Sequence, residues 1–367
     1  MKNQKNIQKS RNEISKKYNL CKFCSSRLKL KKTTATLQTC FICKNIFRQV
    51  DELVRRVFED VSSYEFSDFE TGSVLKSSLI DKDDYIKSEF QIKGVSSIKT
   101  DLNNVIAKKL AFKTKRKINH KNPDLTIKIN FKDDSYEIHS KSLIIYGRYI
   151  KKSRELVQKQ HSCRNCSGKG CYSCNFHGLD NFNSIEGKIA KFFIEKFDCQ
   201  QVKINWLGGE EKSSLVIGNG RPFFAKITNP KKRKRLLRRG IKLDGIELVE
   251  LRKILELPKG QIFFKSKLVI LVKTEVYIKS SILNNLKKLK MPLEIRIDGN
   301  KPTLKKIYKI NFKKISSNLL KIHIYADGGL PIKSFIQNTA VFPNLAYLLK
   351  NQCKCVQFDF KKIDVMS

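Results

Sequence analysis

The sequence has 367 residues, of which 75 are Lys or Arg and 34 are Asp or Glu, so its formal net charge is +41. With 40% hydrophobic residues the chain can build folded cores, which excludes a disordered basic tail. A charge of this size on a folded chain indicates a polyanionic partner, with nucleic acid ahead of an anionic membrane; a lysine-rich genome is the other source of such a composition.

The length predicts two or three domains. The first residues, MKNQKNIQKSRNEISKK, lack the apolar stretch of a secretory signal or an anchor. No apolar run approaches the roughly 18 residues that a membrane-spanning helix needs. We therefore expect a cytoplasmic monomer with no membrane partner.

Eight of the 11 cysteines form Cys-x-x-Cys pairs, a pattern that in a reducing compartment favours metal over disulfides. In the first set, 15 residues separate the pair Cys21 and Cys24 from the pair Cys40 and Cys43. This spacing suits one tetrahedral zinc ion. No histidine or carboxylate lies among the four thiols, so we expect a structural Zn²⁺ in an N-terminal module at residues 1–50.

Residues 51–160 have an α/β pattern. Apolar residues at helical spacing predict helices at Asp51–Val61 and Asp101–Leu110. Alternating or continuous apolar residues predict strands at Leu125–Phe131 and Leu143–Tyr146. The pattern alone is common to many folds.

The second cysteine set, Cys163, Cys166, Cys171 and Cys174, lies at residues 161–180. Only four residues separate its pairs, and two glycines in that link permit the sharp reversal required. One further Zn²⁺ is expected here. The flanking His161 and His177 are alternative ligands, phosphate contacts or packing residues.

Residues 181–367 begin with a predicted amphipathic helix at Asn183–Phe197. Next, the segment Trp206–Pro230 contains two adjacent acids and a Gly-Asn-Gly sequence between two apolar runs. Gly-Asn-Gly supplies the positive φ angles of a tight turn, so we predict a hairpin that holds an acid beside a groove. An ordinary surface hairpin with solvated glutamates is the alternative.

A basic run, Lys231–Arg239, follows and is either a solvated face or a track for phosphates. The remaining residues predict antiparallel strands with a few helices. The predicted strands are Gln261–Phe264, Lys267–Lys273, Val276–Lys279, Leu293–Ile297, Lys305–Phe312 and Leu319–Tyr325, and the helices are Ser281–Leu289 and Asn344–Lys350.

Several motifs, in order, resemble the tRNA pseudouridine synthases that modify the tandem T-loop uridines, positions 54 and 55, in archaea and many eukaryotes. The run from Gly218 to Phe223 matches the family's Gly-x-Gly-Arg-Pro-Phe sequence, and Gly328 to Lys333 matches its third motif. The segment Gly147–Gln160 leads into the second cysteine set as it does in archaeal members. Residues 51–160 resemble a THUMP-type RNA-binding domain.

The resemblance implies an α+β fold class. A zinc-binding module at 1–50, a THUMP-like α/β RNA-binding region at 51–160 and a zinc knuckle at 161–180 would precede a catalytic domain at 181–367. That catalytic domain would be α+β with a mixed, mainly antiparallel sheet. No organic cofactor is expected, and the implied partner is the T-loop or elbow of tRNA.

The resemblance also implies residue roles. Glu211 takes the position of the family's catalytic aspartate, Lys333 pairs with it, and Tyr277 stacks on the flipped base or handles its proton. Arg221 is a phosphate contact or braces the hairpin. The residues expected to contact substrate or RNA are Tyr277, Arg221, Pro331, Lys231, Lys232, Arg233 and Arg148.

The sequence departs from the family pattern at Glu211, at Gly209 in place of arginine, and at Pro331 in place of tyrosine. A glutamate keeps the charge but adds a methylene, and about 1 Å of misplacement can lower a rate by around 10²-fold. The leading hypothesis is a tRNA pseudouridine synthase with a glutamate nucleophile. The alternatives are an inactive protein of the same fold that binds and folds tRNA, and a zinc-containing RNA-binding protein with another task.

Overall fold

The computed structural model describes residues 13–30, 38–235, 240–299, 302–337 and 340–366. Most of the N-terminal stretch MKNQKNIQKSRNEISKK and residues 236–239 of the basic run lie outside these ranges. The chain forms two compact units. The first comprises Met1–Lys141 and Asn229–Lys234, and the second comprises Ser142–Thr228 and Arg235–Ser367.

The first unit packs helices against a four-stranded sheet. Helix α2 buries Leu53, Val54, Val57 and Val61, which are the residues whose spacing predicted it. The sheet has the order β2-β1-β3-β4, and β1 pairs in parallel with both β2 and β3. The elements are α1 (Lys22–Arg27), α2 (Val50–Val61), β1 (Asp68–Val74), α3 (Ser77–Glu89), α4 (Ile98–Thr114), β2 (Lys117–Ile118), β3 (Leu125–Asn130) and β4 (Ser135–Ser140).

The N-terminal cysteines share one hydrophobic core with the strands of this unit. Cys24, Cys40 and Cys43 are fully buried in the same cluster as Leu53 and Ile129. A buried ion pair between Arg27 and Asp83 adds a polar contact between α1 and α3. The predicted boundary at residue 50 therefore does not separate two cores.

The second unit is built on one large sheet of the order β14-β11-β12-β13-β10-β15-β7-β5-β9-β8, with β6 paired to β7. All of its pairings are antiparallel except β15 with β7, as the expected mixed, mainly antiparallel sheet requires. Its strands are β5 (Leu143–Lys151), β6 (Gln201–Trp206), β7 (Leu215–Thr228), β8 (Ile241–Leu243), β9 (Ile246–Ile254), β10 (Phe264–Thr274), β11 (Leu293–Ile297), β12 (Thr303–Ser316), β13 (Leu319–Asp327), β14 (Val341–Phe342) and β15 (Cys353–Val365). Its helices are α5 (Ile185–Phe197), α6 (Ser280–Lys287), α7 (Ile332–Gln337) and α8 (Leu345–Leu349).

Several sequence predictions fail in this unit. Of the predicted strand Gln261–Phe264, only Phe264 lies in a strand, as the first residue of β10. Strand β5, expected inside the THUMP-like region, pairs with β7 and β9 and so belongs to the large sheet. The segment Val276–Lys279, predicted as a strand, forms no regular element and connects β10 to α6. A short apolar run does not reveal which sheet it joins, or whether it joins one.

The predicted Gly-Asn-Gly hairpin is also wrong, because Leu215–Thr228 is one continuous strand, β7. Gly218 and Gly220 adopt φ angles of 64° and 73° inside it. Positive φ angles serve a bend within a strand as well as a tight turn. A Cβ atom on Gly218 would lie 2.1 Å from the carbonyl oxygen of Lys361, so the close approach of β15 requires glycine there.

The bend separates the pairing of β7 with β15 from most of its pairing with β5 and β6. Leu215 and Val216 pair in parallel with β15, and Val216 also pairs with Lys151 of β5, whereas the residues after the bend pair with β5 and β6. At the bend, the side-chain amide of Asn219 replaces the interrupted ladder by donating to the carbonyl of Ile363 and accepting from its N–H, both at 3.0 Å. The bend brings the loop that precedes β7 to the edge of β15.

None of the helices in the described part of the chain has both the length and the apolar character that crossing a bilayer requires.

Candidate active site and metal centres

An ion pair joins Glu211 to Lys333. Glu211 lies in the loop of residues 207–214 between β6 and β7, here called the Glu211 loop, and Lys333 is in the first turn of α7. Their side chains are 38% and 52% exposed, so the carboxylate is accessible to a ligand. The hydrogen bond with Glu211 raises the pKa of the Lys333 ammonium, which therefore stays charged at neutral pH.

Two basic side chains bind the second half of the Glu211 loop. Nζ of Lys151, at the end of β5, donates to the carbonyl oxygens of Glu211 at 3.1 Å and Lys212 at 2.9 Å. Arg154 donates to the carbonyl of Ser213 at 2.5 Å and also binds the Asp359 carboxylate. Because these carbonyls lie in a loop, the side chains supply the donors that regular structure would otherwise provide.

Gln158 and Arg221 bind the first half of the same loop. Gln158 accepts a hydrogen bond from the N–H of Glu210 at 3.3 Å and donates to the carbonyl of Gly208 at 3.4 Å. Arg221 donates to the carbonyl of Leu207 at 3.0 Å. The four side chains thus hold the loop backbone from Leu207 to Ser213, and with it the point from which Glu211 projects.

The side chain of Glu210, a residue of this loop, is completely buried. Its carboxylate accepts a hydrogen bond from Nε of Arg221 at 3.1 Å and lies 3.7 Å from Nζ of Lys151. Burial lowers the pKa of Lys151, and the charge of Glu210 opposes that shift. Burial, reinforced by Glu210, raises the pKa of Tyr149 well above 10, so its phenol stays protonated while it accepts a hydrogen bond from Gln158 at 3.1 Å.

Sequence reasoning did not single out Lys151, Gln158 or Glu210. A signal for Lys151 was present, because alternate residues of a strand share a face. Ile145 and Tyr149 are fully buried on the inward face of β5, and Lys151 continues that row. A lysine in such a row indicates an inward-facing cation that needs a buried carboxylate.

Two arginines predicted to contact RNA are instead buried. Arg221 is 1% exposed, lies against the ring of Phe360 and is bound to Glu210. Arg148 is also buried and donates to the carbonyls of Gly220 and Ile363, both at 2.9 Å. These contacts brace the bend of β7 and the Glu211 loop, so neither guanidinium is available to a phosphate.

Three residues of the basic run were predicted to contact RNA, and Arg233 differs from Lys231 and Lys232 in its surroundings. Arg233 donates to the hydroxyl of Ser140 at 3.0 Å, forms an ion pair with Asp124 at 3.4 Å and has its pKa lowered by burial. It therefore serves packing within the first unit, which corrects its predicted role as an RNA contact. Lys231 and Lys232 are half-exposed.

Tyr277 is not joined to the ion pair. It follows the Thr274 end of β10, is 57% exposed, and has Nζ of Lys314 at 3.9 Å from its ring centroid. No hydrogen bond, ion pair or ring contact among the described residues links Tyr277 to Glu211 or Lys333. Of the three residues predicted to lie together, only Glu211 and Lys333 are in contact.

A small pocket adjoins the Glu211 loop and the start of α7. Gly208 and Gly209 of the loop line this pocket, as does Ile332, the first residue of α7. The half-buried Pro331 directly precedes Ile332. Phe264, at the end of β10 opposite to the end that Tyr277 follows, has its aromatic ring over Gly208. The rest of the lining combines apolar side chains with the polar side chains of Arg221, Ser266 and Asp327; the apolar ones are Leu268, Leu330, Ile332 and Phe360. The arrangement places an accessible carboxylate in the same loop as two residues that line a pocket of mixed apolar and polar character.

The first cysteine set forms a compact cluster. The sulfur atoms of Cys21, Cys24, Cys40 and Cys43 all lie within 4.8 Å of one another, and those of Cys21 and Cys43 are 3.5 Å apart. Four thiolates about 2.3 Å from one zinc ion are separated by about 3.8 Å in a tetrahedron. The cluster fits a closed, tetrahedral metal centre.

The second set, Cys163, Cys166, Cys171 and Cys174, has the same property. Three of its sulfur–sulfur distances are 4.0, 3.9 and 3.8 Å. Backbone N–H groups of Gly170 and Gly178 donate to two of the sulfurs at 3.1 and 3.3 Å, as knuckle backbones do toward thiolates. His177 accepts the N–H of Leu179 through Nδ1, so the four thiols make a complete set without it.

Two family models match the chain. The model described as Pus10, C-terminal, covers residues 144–364, and the archaeal Pus10 THUMP domain covers residues 53–130. The first match spans nearly all of the large sheet and the Glu211 loop, and the second lies inside the first unit. Fold, site and matches define the class of protein: a pseudouridine synthase with a THUMP domain.

Full-length relatives extend the match. The tRNA pseudouridine synthase Pus10 of Nitrosopumilus maritimus is 38% identical over 96% of this chain and 97% of its own. The Pus10 proteins of Cenarchaeum symbiosum and Archaeoglobus fulgidus are 31% and 26% identical, and each match covers 89% of this chain and 81% and 95% of theirs. The chain belongs to the Pus10 family of tRNA pseudouridine synthases, which are isomerases.

Proposed function

We propose that this protein converts a T-loop uridine of tRNA, at position 54 or 55, to pseudouridine with Glu211 as the nucleophile. The observation that carries the proposal is the accessible Glu211 carboxylate, paired with Lys333 near a small pocket, at the sequence position of the family motif. The family membership supports the reaction class, and the net charge of +41 supports a nucleic-acid substrate.

The reaction requires the uracil to leave and return to the same ribose. The bond between N1 and C1′ breaks, the base turns, and a bond between C5 and C1′ forms, after which the C5 proton is lost and N1 is protonated. A carboxylate nucleophile divides this change into two easier steps, and the target nucleotide must first leave its stack. In the proposed roles Glu211 supplies the carboxylate, Lys333 pairs with it, and the nearby pocket receives the flipped base.

We further propose that each cysteine cluster holds one structural Zn²⁺. Four thiolates fill the tetrahedral shell, so neither ion has an open position for catalysis. Bound zinc would contribute folding free energy to the unit that holds it. The 11 cysteines, none of them in a disulfide, favour a reducing compartment, the cytoplasm, and the proposed working state is a monomer.

The RNA surface of the proposal is limited to side chains that the fold leaves accessible. Lys231 and Lys232 remain candidate phosphate contacts, and Pro331 lies beside the proposed base pocket. Tyr277 is exposed, but no contact among the described residues joins it to Glu211. If phosphate contacts dominate, tRNA binding weakens steeply as salt rises.

The test is to incubate the purified protein with unmodified tRNA transcript and to map pseudouridine at single-nucleotide resolution. We expect product in the T-loop, and we expect Glu211→Gln to abolish it while tRNA binding persists. Glu195→Gln, a change at an exposed glutamate on α5, is the matched control and should retain full activity. Salt-sensitive tRNA binding by the unaltered protein with no product would instead identify an inactive tRNA-binding protein.

A further inference from the structure

A groove lies on the outer face of the large sheet, across strands β10, β12, β13 and β15. It is here called the lysine groove. Its lining combines basic, aromatic and amide side chains with apolar ones, and none of the described residues that line it is acidic. The residues that line it include Lys267, Lys309, Asn311, His323, Tyr325 and Lys361.

The lysine groove faces away from the Glu211 loop. Successive side chains of a strand point to opposite faces of its sheet. In β10, Ser266 and Leu268 are buried and line the pocket beside the Glu211 loop, whereas the more exposed Lys267 and Val269 line the groove, which Leu268 borders from between them. The groove is therefore a separate site from the proposed active site, on the other side of the same sheet.

Strand register arranges the groove in two rows. In one row, Lys309, Tyr325 and Lys267 are direct cross-strand neighbours, and in the adjacent row Asn311 lies beside His323. Neighbouring strands are about 4.8 Å apart, so each row presents its groups side by side. Positive charges thus alternate with an aromatic ring, and donors capable of binding oxygen lie next to them.

The groove cations have no carboxylate partners among the described residues. Lys267, Lys309 and Lys361 form no ion pair, and Lys267 instead lies over the ring of Tyr325, 5.6 Å from its centroid. Lysines nearby on the same strands do find acids, as Lys306 does with Glu294 and Lys362 with Asp364. Like charges on neighbouring strands repel, and a bound anion would remove that repulsion.

We propose that the lysine groove binds the phosphodiester backbone of RNA, as a second contact surface distinct from the active site. The cations neutralise phosphates, Asn311 and His323 donate to phosphate oxygens, and Tyr325 offers a face to a base or ribose. The inference shares tRNA with the proposed function but does not require Glu211 to be active. A site on the opposite face of the sheet serves affinity and leaves the chemical step unchanged.

The environment of His323 is consistent with an anionic ligand. Burial, together with the positive charges of Lys321, Lys361 and Lys313, lowers its pKa. The imidazole is therefore neutral at pH 7 in the free protein and can still donate one hydrogen bond. A phosphate placed there would counteract the surrounding charge.

The test uses two double variants that remove the same charge. Lys267→Gln with Lys309→Gln alters the groove, and Lys203→Gln with Lys226→Gln alters an exposed cross-strand lysine pair elsewhere on the sheet, between β6 and β7. Each is made in the full chain and also combined with Glu211→Gln, so that binding is measured without turnover. Dissociation constants for unmodified tRNA transcript are measured over a series of salt concentrations.

We expect the groove variant to bind tRNA about 10-fold more weakly near 0.1 M salt. The slope of the logarithm of the binding constant against the logarithm of the salt concentration should become shallower by the amount expected for one to two lost phosphate contacts. The control variant should change affinity less than about 2-fold. In the active chain, KM should rise in parallel while kcat at saturating tRNA stays unchanged. Equal losses in both variants would mean a nonspecific charge effect, and unchanged affinity would mean no contact; either result overturns the proposal.

Discussion

The ammonium nitrogen of Lys151 lies 3.7 Å from a carboxylate oxygen of Glu210, and both side chains are completely buried. The same ammonium donates to the carbonyl oxygens of Glu211 and Lys212. A buried charge pair is thereby connected directly to the backbone of the residue proposed as nucleophile. The position of Glu211 therefore depends on a charge pair in the interior of the domain as well as on its surface contact with Lys333.

Replacing Lys151 by methionine should impair catalysis and stability together. The change leaves the Glu210 carboxylate with one cation instead of two and removes two donors from the Glu211 loop. Breaking a buried pair in this way costs about 3–5 kcal/mol of unfolding free energy. A loop displaced by about 1 Å should lower kcat around 10²-fold, more than it changes KM. Denaturant unfolding and steady-state pseudouridine formation measure the two effects.

Lys152→Met is the matched control for that experiment. Lys152 is the next residue, is 57% exposed, and pairs with Glu247 at the surface. Its loss should cost less than about 1 kcal/mol and leave kcat unchanged. If both variants behaved alike, the buried contacts of Lys151 would have no special role in positioning Glu211.

Shortening Glu211 to aspartate should lower activity, although aspartate is the residue that the family motif has at this position. The backbone from Leu207 to Ser213 is held by Lys151, Arg154, Gln158 and Arg221, so it cannot advance to compensate. Removing one methylene withdraws the carboxylate by about 1.5 Å. We expect kcat to fall around 10²-fold with unchanged tRNA binding. Equal or higher activity of Glu211→Asp would show that the loop adapts.

Gly218 and Gly209 should respond very differently to alanine. At Gly218 the positive φ alone costs roughly 1–2 kcal/mol, and the new Cβ would lie 2.1 Å from a carbonyl oxygen. We expect a loss of more than about 3 kcal/mol in unfolding free energy. At Gly209 the nearest atom is 3.9 Å away, so alanine should change stability by less than about 1 kcal/mol. Chemical denaturation of both variants checks the contrast.

Metal analysis should find two zinc ions per chain. Cys40→Ser should remove one of them and destabilise the first unit, because Cys40 is fully buried in its core. Cys355→Ser, which changes a half-exposed cysteine outside both clusters, should retain both ions. Elemental analysis and thermal unfolding measure these outcomes, and an unchanged zinc content in Cys40→Ser would exclude the first metal centre.

Local patterns were sufficient for the elements whose apolar residues have a clear period. Helix α2 and strand β11 lie within one residue of their predicted bounds, because apolar residues recur along their inward faces at the period of the element. Strand β5 was recognised, but its sheet was not. The pairing that decides it involves β7 and β9, which lie far along the chain.

For the candidate site, too, the local sequence pattern does not reveal partners that lie far along the chain. Motif positions placed Glu211 and Lys333 as candidates, and the structure brings these two together. Arg148 and Arg221 were expected to contact RNA from the family resemblance, with bracing of the hairpin as the alternative for Arg221. Their burial depends on Glu210 and on carbonyls of β7 and β15, partners that no local pattern reveals. Tyr277 was assigned by its spacing from a motif, which does not fix the end of β10 at which it lies.

Strand β15 occupies the middle of the large sheet, between β10 and β7, although it is the last strand along the chain. During synthesis, β7 and β10 emerge long before the segment that joins them. Until then each presents an unpaired edge that invites pairing with other chains. The second unit is therefore most exposed to misassembly while it is still being translated, whereas nearly all of the first unit, including its complete sheet, has already left the ribosome.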